Sequence, residues 1–234
     1  MKKPLADLDD IVDTLKKSEM FSGISNEGLL EISPFFRKVN FKNDQFIFME
    51  GDPSDWLYVV STNKVKMIKH SDSGKDVIVE MKSPGELFCC AAVLDKKPYP
   101  ESAQSKGASS AIKIRRIDLI KLIDMFPVLK AGIANYLNEK LTDAYDMLQH
   151  ISTELVERRI AAILLKLSEK VGVDDSDYRK INFSLTRKEI AEMVGSSTET
   201  CIRTMSKFQK QGIVKSSKGS ILVNEEALTR FMEQ

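Results

Sequence analysis

The sequence predicts an α+β protein: an antiparallel β-sandwich or small barrel behind short N-terminal helices, then a long helix, then a helix-turn-helix with a wing. Three observations predict it. Between Arg37 and Arg116, short β-branched and aromatic runs alternate with turn clusters, as in small antiparallel barrels. After Pro127 the apolar residues recur at helical spacing. Between Ser184 and Val223, two helix-capping signals, a corner glycine and a two-stranded pattern follow one another.

The 234 residues suffice for two modest domains with a buried core. Lys and Arg number 35 against 34 Asp and Glu, so the net charge of +1 excludes a chain that coats nucleic acid along its whole length. No uncharged run exceeds eight residues, whereas a membrane span needs about 20 apolar ones, so no transmembrane helix is expected. The first residues, two lysines followed by acids, lack the apolar stretch of a secretory signal. Three cysteines, of which Cys89 and Cys90 are adjacent, give no disulfide framework. A reducing, cytoplasmic location is expected.

Taken in order, Leu5, Leu8, Ile11, Val12 and Leu15 predict an N-terminal helix, and Ile24, Leu29, Leu30 and Ile32 a second short one. Strands are predicted at Gln45–Met49, Trp56–Val60, Lys64–Lys69, Val77–Met81 and Ala111–Ile117. Turns are predicted at Glu50–Asp55, Ser61–Asn63, Ser71–Lys75 and Ser83–Gly85. In the long helix Leu137, Leu141, Ala144, Leu148, Ile151 and Leu155 are spaced four, three, four, three, four. So narrow an apolar stripe suits a paired helix and predicts a dimer seam at Leu137, Leu141, Ala144, Leu148 and Ile151. A helix follows at Val156–Val171 with Gly172 as its C-cap, and residues 173–180 read as a polar loop.

The C-terminal stretch carries the chemistry. Thr186 to Glu189 is a capping box, and the helix it starts ends at Gly195. Ser196-Ser197-Thr198-Glu199 reads as a second box that starts the next helix at once. On that helix Cys201, Met205 and Phe208 share the core face, while Glu199, Thr200, Arg203 and Lys207 share the other. An Arg can fork onto guanine in the major groove, a Glu can accept from a cytosine amino group, and a Lys can approach phosphate. Arg187, Ser197, Thr198, Glu199, Thr200, Arg203 and Lys207 are therefore the candidate contacts to double-stranded DNA. From Arg187 to Lys218 seven basic residues face three acidic ones, so this segment is +4. Two such helices in a dimer predict a palindromic site. No catalytic constellation is recognisable, so no enzyme is expected.

These residues resemble the CRP/FNR family of bacterial transcription regulators over nearly the whole chain. The likeness lies in Phe21-Ser22-Gly23-Ile24, Glu50-Gly51-Asp52-Pro53, Leu57-Tyr58-Val59-Val60, Pro84-Gly85-Glu86-Leu87-Phe88, and Leu185 through Ala191 with Glu199 and Arg203. The resemblance implies a jelly-roll-like, cyclic-nucleotide-binding-like β-roll in residues 1–125, a dimerisation helix in 126–155 and a winged helix-turn-helix in 156–234. It also implies that Glu199 and Arg203 read bases within part of a TGA-type half-site, that Arg187 touches the backbone, and that RNA polymerase is a partner. Ile202 and Thr198 occupy the family's variable positions.

The departures concern the effector. Cyclic-nucleotide-binding members have Phe-Gly-Glu and then Arg-Ser or Arg-Thr; here those positions hold Phe88-Cys89-Cys90 and Glu101-Ser102. A Glu in place of the phosphate-pairing Arg repels a cyclic phosphate, so cyclic AMP is not the expected effector. The candidate effector pocket is Phe88, Cys89, Cys90, Glu101 and Ser102. The oxygen-sensing iron-sulfur members carry an N-terminal cysteine cluster, whereas the first cysteine here is Cys89. Cys89 matches the haem-ligating Cys of the carbon-monoxide-sensing branch, but that branch's His is missing; only His70 and His150 exist. Three readings of Cys89 and Cys90 stay open: a haem site, a thiol or metal sensor, or small hydrophobes filling the former ligand position beside some other small-molecule or redox effector.

Overall fold

The computed structural model describes residues 5–70, 76–153, 155–217 and 220–232. They divide into two compact units, one ending at Asp143 and the other beginning at Ala144. No described helix is long and apolar enough to cross a membrane.

The first unit opens with the two predicted helices, α1 (Leu5–Lys16) and α2 (Asn26–Ile32). Ser25 caps α2 by accepting from Gly28 N. The strands are β1 (Arg37–Phe41), β2 (Phe46–Phe48), β3 (Trp56–His70), β4 (Asp76–Lys82), β5 (Leu87–Phe88) and, after the short helix α3 (Cys90–Asp95), β6 (Ser102–Arg115). Their order is β1-β6-β3-β4, with β2 also on β6 and β5 also on β3. Every pairing is antiparallel.

The long pair β3–β6 is the spine, running in register from Trp56 opposite Arg115 to Ile68 opposite Ser102. The predicted turn at Ser61–Asn63 is corrected: the strand continues through it, with register shifts between Val60 and Thr62 and between Thr62 and Lys64. Bulges bend a strand without ending it. Thr62 Oγ1 accepts from Ser110 N at 3.1 Å across the bend, and Asn63 takes a positive φ of 57°. Each spine strand thereby serves two sheet edges. β5 pairs beside Tyr58 and Val59 and β4 beside Val65–His70, while β1 pairs beside one end of β6 and β2 beside the other.

The predicted strand Ala111–Ile117 is corrected at both ends. β6 begins at Ser102, because its Ser- and Gly-rich first half pairs through backbone groups with no apolar alternation to reveal it. It stops at Arg115, where α4 (Arg116–Met125) begins. The predicted turn at Ser71–Lys75 lies outside the described residues. Ser83–Gly85 is a turn, closed by Glu86 N to Ser83 O at 3.0 Å, with Gly85 at φ +90°.

Next comes α5 (Val128–Thr153), the predicted long helix. Leu129, Ile133 and Tyr136 pack onto the roll's hydrophobic core. Flanking that face, Leu137, Leu141 and Tyr145 are 37, 55 and 64% exposed, and Ala144 is exposed too. The side chains of Leu148, Ile151 and His150 lie outside the described residues.

The second unit contains α6 (Val156–Val171), β7 (Gly172–Asp175), β8 (Tyr178–Ile181), α7 (Arg187–Met193), α8 (Thr198–Lys210), β9 (Val214–Ser217), β10 (Ser220–Val223) and α9 (Glu225–Met232). Its sheet order is β7-β8-β10-β9. The predicted loop 173–180 is thus a hairpin, with Ser176 at φ 56° in its turn. Val173, Asp174 and Asp175 are exposed, so no alternation marked it. Gly172 is extended rather than left-handed and starts that hairpin; it is required because a Cβ there would stand 2.2 Å from Ser168 O. The apolar stripe of α6, Ile160, Leu164 and Leu167, is buried as its periodicity predicts.

Gly132 marks where α5 meets the segment after α1. A Cβ on it would stand 2.4 Å from Met20 O, a backbone atom that cannot swing away. Gly132→Ala should lower stability by about 1–3 kcal/mol in urea denaturation, the crowding outweighing the gain of about 1 kcal/mol in helix propensity.

Candidate functional site

Two short, well-capped helices build the second unit's exposed face. Thr186 Oγ1 accepts from Glu189 N at 3.2 Å and the Glu189 carboxylate accepts from Thr186 N at 2.9 Å, the reciprocal box that fixes the start of α7. Gly195, at φ +63°, lets the chain reverse into α8. The second predicted box is corrected. The cap of α8 is Ser197, whose Oγ accepts from Thr200 N at 3.1 Å, rather than Ser196 paired with Glu199. Glu199 therefore has no capping duty and is exposed.

On α8, Cys201, Met205 and Phe208 are buried as predicted, joined by Thr204. Phe208 meets Phe231 of α9 edge-on at 5.0 Å between centroids. The outward face carries Thr198, Glu199, Ile202, Arg203, Ser206 and Lys207. Among the described residues neither Glu199 nor Arg203 has an ion-pair or hydrogen-bond partner. The exposed Glu–Arg pair, one helical turn apart, is free to meet a ligand.

The remaining candidates are more committed. Lys207 Nζ is 2.6 Å from Glu157 on α6, so that pair has to open before Lys207 reaches a phosphate. Arg187 donates to Ser216 of β9 at 2.9 Å, tying the start of α7 to the wing. Thr200 shares a hydroxyl contact with Ser197 at 2.9 Å. The wing is the β9–β10 ladder, Val214 opposite Val223 to Ser217 opposite Ser220; its tip, Lys218-Gly219, lies outside the described residues.

In the roll, Phe88 is fully buried and stacks on Tyr58 at 5.3 Å, within a set that includes Phe48 and Tyr99. It belongs to the core rather than to a ligand surface. Cys89 adopts a left-handed φ of 59° and Cys90 begins α3, 1% exposed. Burial pushes the Cys90 thiol up to about 12, and burial, then the charge of Glu101, pushes Cys89 higher still. Neutral thiols are poor nucleophiles and poor metal ligands. Ser102 is buried, its Oγ accepting from Glu50 N at 2.8 Å and meeting His70 Nε2 at 3.0 Å; His70 Nδ1 is 2.7 Å from Asp76. Both His70 nitrogens are thus engaged.

The sequence reading missed the charged part of this region. Lys82 is 2% exposed, with Nζ 2.7 Å from Glu80 Oε2 and 5.6 Å from the Tyr136 ring centre. Lys140 of α5 takes the other Glu80 oxygen and lies 3.6 Å from Asp143. Burial lowers the Lys82 pKa against the pull of Glu80. Burial also works against both other charges, but the two lysines hold the Glu80 carboxyl below its usual range and Glu80 holds Lys140 protonated. No sequence periodicity marks this trio; only the sheet and the docked α5 assemble it.

Glu101 has its pKa raised by burial first and then by Glu80. Its penalty is absent below the ordinary value of 4.5, where even the unfolded chain is protonated, and grows as the pH rises through the folded value. Glu101→Gln should therefore raise the thermal midpoint at neutral pH, a gain that disappears in scans below about pH 4.5.

A β-roll followed by a winged helix-turn-helix defines a DNA-binding transcription regulator with a ligand-type N-terminal domain. The chain belongs to the CRP/FNR family: residues 38–125 match the cyclic nucleotide-binding domain and residues 158–231 the Crp-like helix-turn-helix domain. It is 25% identical over 219 residues to the CRP-like cAMP-activated global transcriptional regulator of Mycobacterium tuberculosis, covering 93% of this chain and 98% of that one. It is 28% identical over 214 residues to the cyclic AMP receptor protein of Thermus thermophilus, covering 92 and 96%. The structure of FixK2 from Bradyrhizobium japonicum shares the fold, with a TM-score of 0.74 at 22% identity over 83% of this chain and 96% of that one.

Proposed function

We propose that the chain is a homodimeric regulator that reads a palindromic DNA site and answers, through its roll, to an effector other than cyclic AMP. The carrying observation is the capped α8 with Glu199 and Arg203 exposed and uncommitted on its outer face. Arg203 supplies the bidentate donor that guanine O6 and N7 accept, and Glu199 the acceptor for a cytosine amino group. Thr198 and Ile202 flank them as further base contacts, while Ser197, Thr200, Arg187 and Lys207 border the phosphates.

The exposed stripe Leu137, Leu141, Ala144 of α5 supports the dimer, since a monomer would leave these apolar residues in water. Leu148 and Ile151 continue the seam in sequence. A dimer carries two copies of α8, which suits a site of two half-sites about 34 Å apart. Residues 1–125 sense, 126–155 dimerise and 156–234 bind DNA. The family resemblance adds RNA polymerase as partner and the cytoplasm as location.

The two relatives above are named for cyclic AMP. This chain holds Cys90 and Glu101 at the positions that would bind its ribose and phosphate, and the nearby cations Lys82 and Lys140 are already paired with Glu80. The effector therefore differs in chemistry from a cyclic nucleotide. Both His70 nitrogens are engaged, by Asp76 and Ser102, so a small molecule that needs no histidine ligand suits the roll.

Arg203→Ala should weaken binding to a selected operator by about 1–3 kcal/mol while leaving affinity for random duplex and its salt slope nearly unchanged. Equal losses on both duplexes in gel-shift titrations refute base reading. Leu137→Glu combined with Leu141→Glu should give monomers by light scattering, because two buried carboxylates cannot face each other across a seam; an unchanged dimer mass moves the interface elsewhere.

A further inference from the structure

At the end of the spine away from Ser102, the roll gathers positive charge around the chain's single tryptophan. Lys113 Nζ lies 4.2 Å from the Trp56 ring centre, Arg115 Cζ 5.2 Å and Arg37 Cζ 5.8 Å. Cation–π contacts of note occur about once per 70–80 residues, so three on one indole form a cluster. Arg37 and Lys113 are directly opposite on β1 and β6, and Arg115 is opposite Trp56 on β3. Like charges facing each other across a sheet cost stability. Among the described residues no ion pair neutralises Arg37, Lys113 or Arg115. The repulsion registers on Lys113, whose pKa is lowered by burial and then by both arginines.

Beside the indole is a cleft of about 340 Å³ lined by Asp55, Trp56, Lys96, Arg115, Arg116 and Ile117. Arg116 donates Nε–H to Val93 O at 2.8 Å, which fixes its guanidinium at the cleft wall. Ile117 is 57% exposed and adds an apolar wall. The cleft therefore combines several cations, one acid, an aromatic floor and an apolar side. Its volume is at the low end for small-molecule sites and is concave, unlike the extended basic stripe that tracks a nucleic-acid backbone.

We propose that this cleft, together with the cation cluster that adjoins it through Trp56 and Arg115, is a binding site for a small, multiply phosphorylated molecule: its body lies in the cleft against Trp56 and Ile117, and its phosphates reach Arg115 at the cleft wall and Lys113 and Arg37 beside it. Arginine forks match phosphate oxygens, and an incoming polyanion relieves the repulsion that the folded chain otherwise carries. None of these residues belongs to the Glu80–Lys82–Lys140 trio, the Cys89–Cys90 pair or α8, so the site stands independently of the effector reading.

Because Trp56 is the only tryptophan, its fluorescence reports the cleft alone. Full-length protein without DNA is titrated with ATP, inorganic tripolyphosphate and citrate at a constant ionic strength of about 0.15 M. Saturable emission changes are expected with the two phosphate probes and not with citrate. Tighter binding of ATP than of tripolyphosphate assigns the body to Trp56 and Ile117; equal binding assigns the site to the phosphate chain. The Lys113→Gln, Arg115→Gln double variant should lose about ten-fold or more in affinity, as removal of two charge-assisted contacts implies. Its circular dichroism and operator binding should match the parent's; should it misfold, Arg37→Gln alone serves the same comparison. Emission that follows ionic strength only, a citrate response equal to that of tripolyphosphate, or unchanged phosphate affinity in the folded variant overturns the proposal.

Discussion

The antiparallel pairing of β3 with β6 is the constraint on which the N-terminal unit depends. One ladder from Trp56–Arg115 to Ile68–Ser102 sets which side chains meet at each end of the roll. At one end it gathers Arg37, Lys113 and Arg115 about Trp56; at the other it brings Ser102 to His70 and Glu50. A slip of a single residue would send every one of these side chains to the opposite face. The bulges at 60–64 do the complementary work, bending both strands so that a single pair lines two edges.

α5 carries this arrangement toward its exposed stripe of Leu137, Leu141 and Ala144. Its inner face is fixed by Leu129, Ile133 and Tyr136 on the core and by Lys140 on Glu80. Because a lone buried charge is costly, Glu80 ties the strand bearing Lys82 to the helix bearing Lys140. A ligand that competes for Glu80 or displaces Tyr136 would act on the same helix that bears Leu137 and Leu141.

In the C-terminal unit a one-residue difference in capping separates two glutamates that look alike in sequence. Glu189 is at the third position of its helix, completes a box with Thr186 and is buried. Glu199 is at the second position behind Ser197 and faces outward. Local hydrogen bonding thus ties one acid into its helix start and leaves the other exposed on the outer face of α8.

What the sequence by itself determined was local in origin. The helix-turn-helix, the Thr186 box, the buried Cys201–Met205–Phe208 stripe and the long helix all follow from contacts three or four residues apart, which periodicity and caps record directly. The β-domain was legible as a class but not in its joints: the bulged spine, the Ser-rich start of β6 and the acidic hairpin at 172–181 pair through backbone atoms that leave no apolar pattern. Tertiary structure alone decided the charged constellations. Glu80, Lys82 and Lys140 meet across nearly sixty positions of chain, and Arg37, Trp56 and Lys113 across strand register. Such encounters are set by which strands pair and where a helix docks, and no spacing along the chain encodes them.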